Sequence, residues 1–222
     1  MPAPEAPGRE RALAPPRRRT QAERRAASRG ALLDAALACL VQEGYANLTT
    51  RNVAERAGVS QGTQMHYFPS RQAFLAEVVR HVTLKLLDEL REQPGLRARS
   101  GRARVEELLN RVWEIHASPA FQATMELWVA GRTDREIGAA IREVARDVDR
   151  MIARGAAELC PELTGSSGAV ELLDTSLATI RGLSLLHAAG DDADVARRWR
   201  RARGQLLALY DMRVAAEAHL SK

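Results

Sequence analysis

Between Gly58 and Pro69 the chain has room for only about two turns of helix, and residues that end helices bound that short span on both sides. Gly58 supplies a left-handed residue that closes the helix before it, and Pro69 forces Phe68 out of helical geometry. Upstream, "LTTRNVAERAG" offers Thr49 or Thr50 as a cap and turns Val53, Ala54 and Ala57 inward. Ser60 caps the two-turn helix, and Ser70 caps a longer one whose Phe74, Leu75, Val78, Val79, Val82 and Leu86 share a face. Two short helices joined by a glycine-containing turn and backed by a third form a helix-turn-helix, whose second helix enters the major groove of DNA.

The rest of the chain carries the same period. Leu33, Ala36, Leu37, Leu40 and Val41 mark one face of a first helix over 21–43, stopped by Gly44. After a break at "EQPGLRARSG", helices are expected over 102–117, over 120–130 and from the Asp134 cap to about 159, the last ended by Pro161. A "TGSSG" linker precedes two long helices over 169–189 and 193–220. No alternating run argues for a sheet, so the expected fold is all-α. It divides into a disordered basic arm (1–20), a helix-turn-helix DNA-binding domain (21–72) and a larger helical regulatory and dimerisation domain (73–222).

Charge points to the partner. The first 30 residues hold eight arginines against three glutamates, which accounts for the whole net charge of +5. A Pro/Ala/Arg segment of that kind builds no core; it suits a polyanion or serves as a solubilising tail. Cys39 and Cys160 read as small core fillers in a reducing compartment. No export signal and no long apolar run is apparent, so a cytoplasmic protein is expected, with no membrane partner.

Catalysis is disfavoured by the same residues. Ser60 and Thr63 lie near His66, but Ser60 is needed as a cap and no carboxylate is evident to orient the imidazole. The five histidines show no metal-ligand pairing along one helix, and no Gly-rich phosphate loop follows a strand. No cofactor, metal or catalytic residue is expected. Instead, Gly62 lets the backbone approach DNA closely, and Gln61, Thr63, His66 and Tyr67 offer donors and acceptors.

The stretch "LTTRNVAERAGVSQGTQMHYFPSRQAFLAEVV" resembles the DNA-binding segment of the TetR family of transcriptional regulators, and the helical remainder is similar in architecture to that family's regulatory domain. The resemblance rests on Thr49-Thr50, Ala54, Ala57-Gly58-Val59-Ser60, Gly62-Thr63, Tyr67-Phe68-Pro69-Ser70 and Arg71, with "ELWVAGRTD" as a weaker echo further on. It implies a homodimeric repressor released from a palindromic double-stranded DNA operator by a small-molecule inducer. By resemblance, Thr50, Thr63, Tyr67 and Arg71 meet phosphates, and Arg51 and Gln61 meet base edges. Arg51 has the fork for guanine or remains a solvated surface group, and Gln61 either contacts adenine or a phosphate or simply packs. A non-specific architectural DNA-binding protein, held by its arginine arm, is the competing expectation.

Gln64 and Met65 depart from the family's commoner residues. Gln64 is open between DNA and a packed position with its amide on the backbone; Met65 is open between a thymine methyl and packing. By resemblance, Trp113, His116, Phe121, Met125, Trp128 and His187 sit in helices that wall an inducer pocket, though each can equally be core. Glu126 is a candidate ligand partner or a partner of Arg132. The dimer interface is expected at Leu173, Leu177, Ile180 and Leu183 to Leu186 packed with Leu206, Leu207 and Tyr210, whose spacing would leave an apolar stripe on an isolated chain.

Overall fold

The computed structural model describes residues 20–160, 168–187, 190 and 192–220, and among these there is no strand. Ten α-helices run in order as α1 (Gln21–Glu43), α2 (Thr50–Ala57), α3 (Gln61–Tyr67), α4 (Arg71–Arg91) and α5 (Pro94–Ala98), followed by α6 (Gly101–His116), α7 (Pro119–Ala130), α8 (Arg135–Leu159), α9 (Ala169–His187) and α10 (Asp192–Leu220). A single 3-10 turn, Tyr45–Asn47, joins α1 to α2. The basic arm over 1–19, with Arg17, Arg18 and Arg19, lies outside the described residues, as do Pro161 and most of the "TGSSG" linker. Arg24 and Arg25 belong to α1.

Side chains cap the helices as their sequence spacing predicts. Thr20 accepts from the Glu23 amide, and Glu23 accepts from the Thr20 amide, a reciprocal capping box that fixes where α1 begins. Thr49, Ser60, Ser70, Ser118 and Asp134 each accept from a first-turn amide of the helix that follows. Gly58 adopts φ +68°, the left-handed residue that lets α2 stop and α3 leave at an angle. The break expected at "EQPGLRARSG" instead holds the short α5. Pro94 is tolerated there because it lies in the first turn, where its missing N–H costs nothing, and Leu96 is buried.

Two apolar clusters hold the chain together. The first joins α1, α2, α4, α7 and α8 around Leu32, Leu40, Val53, Val78, Leu127 and Val144. The second joins α6, α9 and α10 around Val105, Ile180, Trp199, Leu206 and Tyr210. Helix α4 runs unbroken across residue 72, and its packing on α8 is backed by the Arg80–Asp147 ion pair at 2.8 Å and a Gln72–Glu136 hydrogen bond. The helix-turn-helix is therefore welded to the regulatory part rather than tethered to it. Cys39 and Cys160 are both buried. No described helix is long and apolar enough to cross a membrane.

Most of the expected dimer residues belong to this interior, whereas Leu185 and Leu186 are exposed. Leu177, Ile180, Leu206, Leu207 and Tyr210 are buried within one chain, with Leu183 packed beside them, and Leu173 is half-buried. Ile180, Leu183, Leu206, Leu207 and Tyr210 form the seam between α9, α10 and α6, while Leu173 and Leu177 face the protomer's interior cavity.

Candidate nucleic-acid interface and interior cavity

Helix α3 is divided by its own short period. Gln64 and Phe68, four residues apart, turn inward and are buried, while Gln61, Gly62, Met65 and His66 are exposed on the outer face. Met65 is 65% exposed, which excludes simple packing as its role. Gln64 is 3% exposed, the packed position of the two expected, and its Oε1 accepts no hydrogen bond. Nor can it reach DNA without leaving the core.

Ser60 accepts from the Thr63 amide at 3.1 Å, and the two hydroxyls lie 2.9 Å apart. Both start the helix that faces outward, but Ser60 is committed to the cap. Tyr67 is half-buried against the first cluster, with its ring edge-on to His66. The His66 imidazole lies 3.3 Å from an Arg25 guanidinium nitrogen, which places a cationic side chain beside α3.

On α2, Thr50 is exposed and Arg51 reaches Glu55 at 2.9 Å in an i,i+4 pair whose side chains are 73% and 65% exposed. An exposed pair of this type contributes about 0.3–0.5 kcal/mol, so Arg51 exchanges it readily for a stronger acceptor. Arg71, at the start of α4, donates to the Leu48 carbonyl at 3.2 Å and lies over the Tyr45 ring at 5.5 Å. Its guanidinium is thereby held against the loop before α2.

Behind these helices lies a cavity of about 500 Å³ between the two apolar clusters, lined by α4, α6, α7, α8 and α9. His116, Phe121, Met125 and Trp128, four of the sequence candidates, line it. Three others do not. Trp113 stacks on Trp199 at 5.1 Å and meets His187 edge-on, a contact made in the second cluster. His187 also pairs with Asp192 at 3.0 Å. Glu126 points the other way, accepting the Tyr45 amide at 2.7 Å, and bonds neither Arg132 nor the cavity.

Polar groups on the cavity wall are few. Thr83 and Thr124 donate to the carbonyls four residues back, at 2.9 Å each, and so are already satisfied. His116 is 6% exposed; its Nδ1 donates to the Val112 carbonyl at 2.7 Å, leaving Nε2 as an acceptor without a partner. Burial, aided by the Arg181 charge, lowers its pKa to about 4, so the imidazole is neutral. Arg181 is the lining residue that sequence reasoning missed. The available signal was a lone charge inside the apolar run "LATIRGLSLL".

Comparison with known proteins agrees with this layout. Residues 32–78 match the family described as bacterial regulatory proteins, tetR family. The HTH-type transcriptional regulator CymR of Pseudomonas putida is 34% identical over 143 residues, covering 61% of this chain and 64% of CymR. BetI of Brucella anthropi, another HTH-type transcriptional regulator, is 27% identical over 162 residues, covering 73% of this chain and 82% of BetI. The crystal structure of multidrug binding protein EbrR complexed with ethidium shares the fold, with a TM-score of 0.61 at 23% identity over 82% of this chain and 97% of that one. The likeness to bacterial regulators of the tetR family is thus carried by residues 32–78, and the alignments with HTH-type transcriptional regulators extend beyond that segment.

Proposed function

We propose that this protein is a repressor that binds a palindromic operator as a homodimer and leaves it when a small molecule fills the cavity. The observation that carries the proposal is the position of α7. Its Phe121, Met125 and Trp128 line the cavity, while its Glu126 holds the Tyr45 amide in the loop that enters the helix-turn-helix. A ligand that displaces α7 or α4 therefore acts on the DNA-reading face through direct contacts rather than across a linker. Ligand complexes such as EbrR with ethidium support a small molecule as the effector.

Arg51, Gln61 and Met65 are assigned to base edges, and Thr50, Thr63, Tyr67 and Arg71 to phosphates. Gly62 admits the backbone, and Arg25 extends the cationic face beside His66. The dimer is assigned to the outer faces of α9 and α10, where Leu185, Leu186, Leu209 and Met212 are between 41% and 69% exposed. A footprint on DNA flanking the gene, followed by competition against scrambled duplex at physiological salt, tests the proposal. A specific repressor retains a preference of about 10³ or more for one palindrome; an architectural protein shows almost none.

A further inference from the structure

The cavity is built for one charge sign. Among the described residues that line it there is no aspartate or glutamate, and its one ionised group is Arg181. The remaining walls are Val, Leu, Ile, Ala, Met and aromatic side chains, with hydroxyls that are mostly engaged by the backbone. Asp149 and Asp174 act on Arg181 only at a distance; no described carboxylate comes within ion-pairing range of its guanidinium. A half-buried guanidinium without a partner is an expensive group to keep beside apolar walls, and a bound anion would remove that cost.

His116 adds a second requirement. Its ring lines the same cavity, 4.0 Å from that of Phe121, and its buried Nε2 is an acceptor with nothing donating to it. A hydroxyl or N–H on a ligand that moves the Phe121 ring aside would satisfy it. Because the imidazole is neutral, the cavity presents a single positive charge rather than two.

We infer that the cavity takes an apolar organic monoanion, a small carboxylic acid whose carboxylate pairs with Arg181 and whose body can carry a donor for His116 Nε2. This deepens the ligand-responsive reading and rests on it. A cationic ligand of the same size would meet the guanidinium with no carboxylate among the described lining residues to offset it. Charge-assisted, bidentate pairing is what a guanidinium offers a carboxylate and not an amide.

The test uses the full chain without DNA and two ligand frames, naphthalene and a ten-carbon chain, each as carboxylate, primary amide and trimethylammonium. Calorimetric titration should give carboxylates an advantage of about tenfold or more over both other forms. Arg181→Met should abolish that advantage while leaving the amides within about twofold, which also shows that the variant is folded; Arg181→Lys should restore part of it. The hydroxylated acid 6-hydroxy-2-naphthoate should bind more tightly than 2-naphthoate, and His116→Leu should erase that difference. Equal or better binding of the amides or ammonium compounds, or unchanged carboxylate affinity in Arg181→Met, overturns the inference. Carboxylates that bind but leave an operator footprint intact uphold the ligand class and sink the release mechanism. If no member of either frame binds, the cavity is not a ligand site and the inference fails with it.

Discussion

Arg51 and Arg71 carry the same charge but are held differently, and the difference assigns them different work. Arg51 stands clear of the surface with only the exposed Glu55 carboxylate as partner, free to lie flat along a base edge. Arg71 is fixed between the Leu48 carbonyl and the Tyr45 ring at the start of α4, where free helix amides already favour an anion. Arg51→Ala should cost about 1–3 kcal/mol at one operator position and relax preference there. Arg71→Ala should weaken cognate and scrambled duplex alike and reduce the salt slope by about one. Fluorescence anisotropy on both duplexes across a salt series separates the two, and equal losses on both duplexes for Arg51→Ala would reverse the assignment. His116 gives a prediction of another kind. Its pKa falls from 6.5 to about 4 on folding, so between those values the unfolded chain binds the proton that the native chain refuses. Stability is therefore unaffected by this group above about pH 6.5, declines as pH falls, and has lost roughly 3 kcal/mol from it by about pH 4. Urea midpoints measured from pH 7 to 4 should show a shallower decline in His116→Leu; parallel curves would mean that His116 titrates normally.

Helix α7, like α4, touches both the cavity and the DNA-binding domain, and Glu126 gives it a hydrogen bond to the Tyr45 backbone. Glu126→Ala should lower stability by about 1 kcal/mol and speed hydrogen exchange at the Tyr45 amide, while ligand still binds and releases operator less efficiently. Glu126→Gln, which keeps an acceptor, should fall between the two. Unchanged exchange at Tyr45 in the alanine variant would remove α7 as the link. The sequence could not show this bond, because an acidic residue in an apolar helix looks the same whether it faces a ligand or a distant backbone amide. The helix-turn-helix was legible for the opposite reason: its caps, its left-handed glycine and its proline are local chemistry, and each lies where its spacing put it. Helix α5 was missed because Pro94 at a first turn and a proline that breaks a helix are the same letter. Trp113 and His187 were placed in the pocket by resemblance and aromatic character, neither of which says which side of α6 and α9 they occupy.

Two copies must act together if the operator is palindromic, since two α3 helices can read successive major grooves only when held about 34–36 Å apart. Periodicity marked an apolar stripe along α9 and α10, but spacing alone does not say which of those residues meet the protomer's own core and which meet a partner. The structure divides them: Ile180, Leu206, Leu207 and Tyr210 are spent on the internal seam, and Leu185, Leu186, Leu209 and Met212 remain outside. Gly182 and Gly204 stand on the same two helices with nothing within 4 Å of where a Cβ would lie, so another helix can approach closely there. Such exposed leucines and an exposed methionine on adjacent long helices are what an isologous four-helix contact would bury. Leu185→Asp combined with Met212→Asp should therefore yield a folded monomer whose operator affinity falls by a factor of 100 or so, because each half-site is then bound alone. Leu177→Asp or Ile180→Asp should instead lower the thermal midpoint sharply, since it places a charge in the protomer core. Sedimentation velocity combined with circular dichroism distinguishes these outcomes, and a Leu185→Asp/Met212→Asp protein that still sediments as an unaltered dimer would place the interface on some other face.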